Sequence, residues 1–195
     1  MKQMTTKKIV TIIVLFVVTT LLTWLVSIRI HGANGQGAAM GYWTLGDVGV
    51  YLCGALLGGP LGALVAGTAS ALGDVLVKGQ AIYAPATLMI KAGMAALFIW
   101  YAKKGNSALH LIKSIALSGA LMVVCYFLYD LVIRGDYTTA AIGLPINLLQ
   151  IIGSFIAVPV LFLLGGKNYR QGDGFTPDRP KDPFAGYSSG PRNLK

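Results

Sequence analysis

Six apolar runs, at Ile9–Ile28, Leu45–Gly59, Leu61–Val77, Pro85–Tyr101, Leu109–Val132 and Thr139–Leu164, occupy most of this 195-residue chain. Several approach the roughly 20 residues a helix needs to cross hydrocarbon, where no water is present to satisfy backbone N–H and C=O groups. Composition agrees, since 55% apolar and only 12% charged residues are too unbalanced for a water-exposed surface. The expected fold is therefore an all-α integral membrane protein with six transmembrane helices. The second and third runs are short and glycine-rich. Gly58-Gly59-Pro60 lies between them, and Pro60 suits the first turn of a helix, so a tight helical hairpin is expected there.

Basic residues accumulate in cytoplasmic loops, and this chain has a clear bias. With both termini inside, Lys2, Lys7, Lys8, Lys103, Lys104, Lys113, Lys167, Arg170, Arg179, Lys181, Arg192 and Lys195 fall on the inner side, and only Arg29, Lys78 and Arg134 on the outer. The net charge of +9 is thus largely topology, with some affinity for anionic lipid, and calls for no nucleic acid. The first run exceeds the 7–15 apolar residues usual in a signal peptide, so it is read as a span. Three regions result: a cytoplasmic N-terminus at 1–8, a six-helix membrane domain with an outward-facing pocket at 9–165, and a disordered cytoplasmic tail at 166–195, where the sequence turns polar and rich in Gly and Pro. Cys53 and Cys125 lie in separate spans with no clustered His, which points to neither a disulfide framework nor a metal site.

Against this apolar background, the tetrapeptide LGDV occurs twice, at Leu45–Val48 and Leu72–Val75. Its two acids, Asp47 and Asp74, lie at roughly equal distances, about 13 residues or ~20 Å, on either side of the Gly59-Pro60 turn. A hairpin would bring them to one depth. A charged side chain at mid-bilayer costs on the order of 3 kcal/mol and is normally retained for function. Measured from their own helix ends, Lys91, Asn147 and Gln150 reach a similar level; Asn147 and Gln150 share a face, as do Asp47 with Tyr51 and Tyr126 with Asp130. Trp43, Tyr42 and Tyr83 sit in or beside the outer loops. Polar groups therefore gather on one side of the membrane, as for a pocket rather than a channel lined along its length. The candidate binding residues are Trp43, Asp47, Tyr51, Asp74, Tyr83, Lys91, Tyr126, Asp130, Asn147 and Gln150. The plainer readings are that Asp47 caps a helix, that Asp74 pairs with Lys91, and that the aromatic residues form an interfacial belt.

Small residues recur at helical spacing in Gly54-x3-Gly58, in Gly62-x3-Ala66-x3-Ser70 and in Thr19-x3-Thr23-x3-Ser27. Such stripes let helices approach closely, either inside the bundle or against another membrane subunit.

The ordered series Gly46-Asp47, Gly58-Gly59-Pro60-Leu61-Gly62-Ala63, Leu72-Gly73-Asp74 and Tyr83-Ala84-Pro85-Ala86-Thr87-Leu88-Met89-Ile90-Lys91 resembles the substrate-binding S component of energy-coupling factor (ECF) vitamin transporters, in the branch for riboflavin, hydroxymethylpyrimidine or vitamin B6 compounds. The resemblance covers roughly residues 8–165. It implies a non-enzymatic binding subunit, without a cofactor of its own, that takes a vitamin near its outer face and works with a transmembrane T component and two cytoplasmic ATPases. The absence of a Walker motif here assigns nucleotide chemistry to those partners. The resemblance also implies that the outer loop His31–Tyr42 closes the pocket. Span one lacks the Ala-x-x-x-Ala that many relatives use to meet the T component, which leaves Thr19, Thr23 and Ser27 as the expected docking stripe.

Other functions remain open at this stage: a solitary proton- or cation-coupled transporter using Asp47, Asp74 or Asp130, a metal-using membrane enzyme, or a structural subunit. On the excess of acids over Lys91, the expected ligand is a B6 vitamer or similar single-ring heteroaromatic, with riboflavin as the alternative.

Overall fold

The computed structural model describes residues 6–30, 41–104 and 108–165. The residues before Thr6, most of the expected closing loop (31–40) and the expected tail (166–195) lie outside the described residues. The chain runs through helix α1 (Thr6–Trp24), strands β1 (Ser27–Ile30) and β2 (Gly41–Thr44), and helices α2 (Gly46–Leu57) and α3 (Gly59–Leu76). A 3-10 turn (Ala81–Tyr83) then leads into α4 (Ala84–Ala102), α5 (Ala108–Arg134), α6 (Tyr137–Ser154) and α7 (Ala157–Gly165). Among the described residues, five helical stretches are long and apolar enough to cross a membrane: Thr6–Trp24, Gly59–Leu76, Ala81–Ala102, Ala108–Arg134 and Ala140–Leu161.

The sixth expected span, α2, is only 12 residues long, about 18 Å at 1.5 Å per residue. Its position accounts for its length. It packs against α1, α3, α4, α6 and α7, and ten of its residues, from Gly46 to Leu57, are buried. A helix enclosed by protein on every side need not match the thickness of lipid, and apart from Asp47 its sequence carries no charge on any face. Gly58 and Gly59 have φ of 62° and 53°, a left-handed pair that reverses the chain directly into Pro60 in the first turn of α3. The predicted hairpin is therefore present.

Two boundaries differ from the sequence reading. Span one ends at Trp24 instead of Ile28, because Ser27–Ile30 pair antiparallel with Gly41–Thr44, Ser27 opposite Thr44 and Ile30 opposite Gly41. This ribbon caps one end of the bundle, where β2 also contacts α6. Span six is two helices. Pro159 has no N–H and its ring crowds the carbonyl four residues back, that of Phe155, where the helix breaks. The chain passes the break through short-range bonds, Ile156 N–H to Gly153 O at 3.2 Å and Val158 N–H to Phe155 O at 3.0 Å.

The expected docking stripe faces inward. Thr19 and Thr23 are 0% and 3% exposed. A Cβ on Gly49 of α2 would sit 2.8 Å from Thr19 Cα, and one on Gly73 of α3 would sit 2.5 Å from Thr23 Cβ. These threonines are where α1 approaches α2 and α3, so they offer no surface to another subunit. Ser27 lies on β1, off the helix altogether, with its hydroxyl donating to Trp24 O at 2.9 Å.

Candidate functional site

Every helix except α7 contributes to one cavity at the end of the bundle bearing the β1–β2 ribbon; it encloses about 570 Å³ of space, part of it open to solvent. Its walls carry Thr23, Tyr42, Thr44, Asp47, Ser70, Asp74, Gln80, Tyr83, Thr87, Lys91, Tyr126, Asp130, Gly143, Ile146, Asn147 and Gln150. Eight of the ten candidate binding residues are among them.

Two candidates stand elsewhere. Tyr51 is fully buried one turn deeper in α2, where its hydroxyl meets Ser118 Oγ at 3.1 Å and Ile115 O at 3.2 Å, and its ring lies edge-on to Phe98. Trp43 points from β2 onto α6, with its ring edge 2.9 Å from where a Cβ on Gly153 would lie. Both hold the site's scaffold and neither lines the cavity.

The charges pair differently from the plainer alternative of an Asp74–Lys91 contact. Lys91 of α4 donates to Asp47 Oδ1 of α2, and both side chains are almost wholly buried. The ammonium also approaches Met122 Sδ at 2.8 Å and lies 5.4 Å from the centre of the Tyr126 ring. Asp47 therefore does not cap α2; Thr44 Oγ1 does that work by accepting from Gly46 N–H at 3.1 Å. Asp74 instead accepts at Oδ1 from the hydroxyl of Tyr42. Tyr42 also offers its main-chain oxygen to Gln150 Nε2 at 3.2 Å, so strand β2 bridges α3 and α6 across the cavity.

A second cluster forms one edge of the site. Asp130 Oδ1 accepts from Tyr83 Oη at 2.6 Å and from Arg134 Nε at 3.1 Å, while Arg134 Nη2 donates to Tyr83 Oη at 2.8 Å. Nearby, Thr87 Oγ1 and Tyr126 Oη are 2.8 Å apart. These bonds tie α4 and the preceding turn to α5.

Four buried polar atoms have no hydrogen-bond partner among the described residues: Asp47 Oδ2, Ser70 Oγ, Asp74 Oδ2 and Gln150 Oε1. All four belong to residues of the cavity wall. Buried polar groups are normally satisfied, and leaving one unmade costs on the order of 1–3 kcal/mol. Three are acceptors: two carboxylate oxygens, and an amide oxygen whose identity follows from Gln150 Nε2 donating to Tyr42 O. The site is thus arranged to receive hydrogen-bond donors from a guest molecule. Among the described residues no group of three or more His, Cys, Asp or Glu is placed to hold a metal ion.

Several wall residues absent from the sequence candidates had a signal. Ser70, Thr87, Gly143 and Ile146 lie one turn before Asp74, Lys91, Asn147 and Gln150, and side chains four apart share a helix face. Tyr42 stood out only as an aromatic residue of the outer loops, and Thr44 and Gln80 had no signal, because they come from the ribbon and a turn.

A family model described as "ECF-type riboflavin transporter, S component" matches residues 3–170. An "Uncharacterized protein in gap 3'region" of Pyrococcus woesei is 31% identical over 98 residues; the match takes in 50% of this chain and 65%, just under two thirds, of that protein. A solved structure described as "Structure and mechanism of the S component of a bacterial ECF transporter" superposes with a TM-score of 0.64 at 18% identity, covering 80% of this chain and 94% of the other. At that identity the likeness is one of fold.

Proposed function

The chain belongs to the family of ECF-type riboflavin transporter S components, and on that premise we propose that it is the membrane-embedded binding subunit for uptake of riboflavin, driven by ATP hydrolysis in partner subunits. The partners this reading requires are a transmembrane T component and two cytoplasmic ATPases. The setting is the cell membrane, with both termini cytoplasmic according to the distribution of basic residues. The chain itself carries out no chemistry: it binds, and its partners supply the energy.

The observation that carries the reading is the set of unpartnered buried polar atoms on four wall residues of one cavity. A ligand that satisfies them presents donors on several sides. The hydroxyl-bearing ribityl chain and the ring N–H of riboflavin do so, and tyrosines at positions 42, 83 and 126 supply flat apolar surface for its ring system. A compact B6 vitamer offers fewer donors. The excess of acids that favoured a protonated single ring comes down to Asp74, since Asp47 pairs with Lys91 and Asp130 with Arg134.

Mass spectrometry of the molecule that co-purifies with the detergent-solubilised protein, followed by calorimetry against riboflavin, pyridoxine, pyridoxamine, hydroxymethylpyrimidine and thiamine, tests this. Submicromolar binding of riboflavin is expected. Tight binding of pyridoxine with none of riboflavin would replace it by the single-ring reading, and uptake by cells lacking the T component and ATPases would favour a solitary secondary transporter.

A further inference from the structure

The charges around the cavity are not neutral toward what enters it. Its wall carries three carboxylates, on Asp47, Asp74 and Asp130, and one ammonium, on Lys91. The Lys91 ammonium is engaged by Asp47, and the guanidinium of Arg134 at the edge is engaged by Asp130 and Tyr83. Asp74 has no cationic partner in an ion pair among the described residues; the groups it meets are the neutral hydroxyls of Tyr42 and Thr87. The carboxylate oxygens without partners, Asp47 Oδ2 and Asp74 Oδ2, belong to the wall. The amide at the start of α2, on Gly46, is already taken by Thr44.

We infer that this cavity selects the unphosphorylated form of its ligand and excludes the phosphate monoester, with Asp74 as the residue that enforces the choice. The inference rests on the reading of the cavity as the vitamin site. A phosphate monoester carries a charge of about −1.5 to −2 at neutral pH and brings only acceptor oxygens. Inside this cavity it would meet acceptors with acceptors and a carboxylate with a dianion, and the one ammonium of the wall is already shared with Asp47. A free hydroxyl at the same position donates to Asp74 or Gln150 and satisfies them. Exclusion thus comes from the groups that recognise the correct ligand, the usual pairing of attraction with repulsion in a specific site.

Calorimetry on the purified full chain compares riboflavin with riboflavin 5′-phosphate and pyridoxine with pyridoxine 5′-phosphate, in the parent and in Asp74→Asn and Asp74→Glu. For whichever free vitamin binds, its phosphate ester should bind weaker by on the order of 100-fold, the scale of a like-charge contact in a desolvated site. Asp74→Asn should narrow that ratio by about tenfold or more, and Asp74→Glu, which keeps the charge, should preserve it. A phosphate ester binding the parent within threefold of the free form overturns the inference, as does an unchanged ratio in a folded Asp74→Asn protein. If pyridoxine binds and riboflavin does not, the substrate reading falls while the exclusion is judged on the pyridoxine pair. If no member of either pair binds, both fall.

Discussion

Lys91 on α4 and Asp47 on α2, 44 positions apart in the chain, form a buried ion pair in the wall of the cavity. The contact joins the central short helix to the helix that follows the 3-10 turn, and it leaves Asp47 Oδ2 available to a guest.

Removing either partner strands a charge in a low-dielectric interior. Lys91→Ala or Asp47→Ala should therefore destabilise the protein by ~3–5 kcal/mol, whereas the double change Asp47→Leu with Lys91→Met should recover most of that loss. Thermal unfolding in detergent measures all three, and ligand binding should remain lost in the double variant because the acceptor is gone. A stronger coupling of Lys91 to Asp74 than to Asp47 in the same cycle would contradict the pairing.

Tyr42 holds Asp74 from the ribbon. Tyr42→Phe keeps the ring and removes the donor, and a hydrogen bond to a charged group contributes ~1.5–3 kcal/mol. Ligand affinity is expected to fall by about tenfold or more on the same scale, read by calorimetry, with the helical signal unchanged. Equal affinity in the two proteins would show that the orientation of Asp74 does not depend on Tyr42.

The inward position of Thr19 predicts a folding defect in place of an assembly defect. Gly49→Ala forces a Cβ to within 2.8 Å of Thr19 Cα, and Thr19→Leu overfills the same contact, so each should cost about 1–3 kcal/mol. Both should lower the melting temperature of the isolated chain. A Thr19→Leu protein with normal melting that fails to assemble with T and ATPase subunits would return this stripe to the outside.

Lys78, just past the end of α3, and Lys103, just past the end of α4, are exposed, and α4 between them is roughly 28 Å long. With Cys53 and Cys125 replaced by alanine, Lys78→Cys should react with an impermeant thiol reagent added outside intact cells, and Lys103→Cys only after the cells are opened. The reverse pattern would invert the topology.

Much of the architecture was legible because its causes are local. Run length marks a membrane helix, and the Gly58-Gly59-Pro60 turn needs no distant partner to reverse the chain; the break before Pro159 was not legible, since Pro145 sits inside α6 without ending it. Acids and amides stood out because an ionisable group in hydrocarbon is costly wherever it points, and most of the candidates chosen on that ground line the cavity.

What tertiary structure alone decided is which way each group faces and what it meets. In a soluble helix a polar face marks the solvent side, but these helices are apolar toward lipid and toward protein alike, so sequence carries little record of which side is inside. That is why Thr19 and Thr23 face the core instead of a partner, and why Tyr51 is spent on Ser118. Depth along the helices put Asp47, Asp74 and Lys91 at one level, but only the packing of α4 beside α2 gave the lysine to Asp47 and left Asp74 to a tyrosine from the ribbon. Contacts spanning 32 and 44 positions are chosen by the whole bundle, and no local pattern in the chain encodes them.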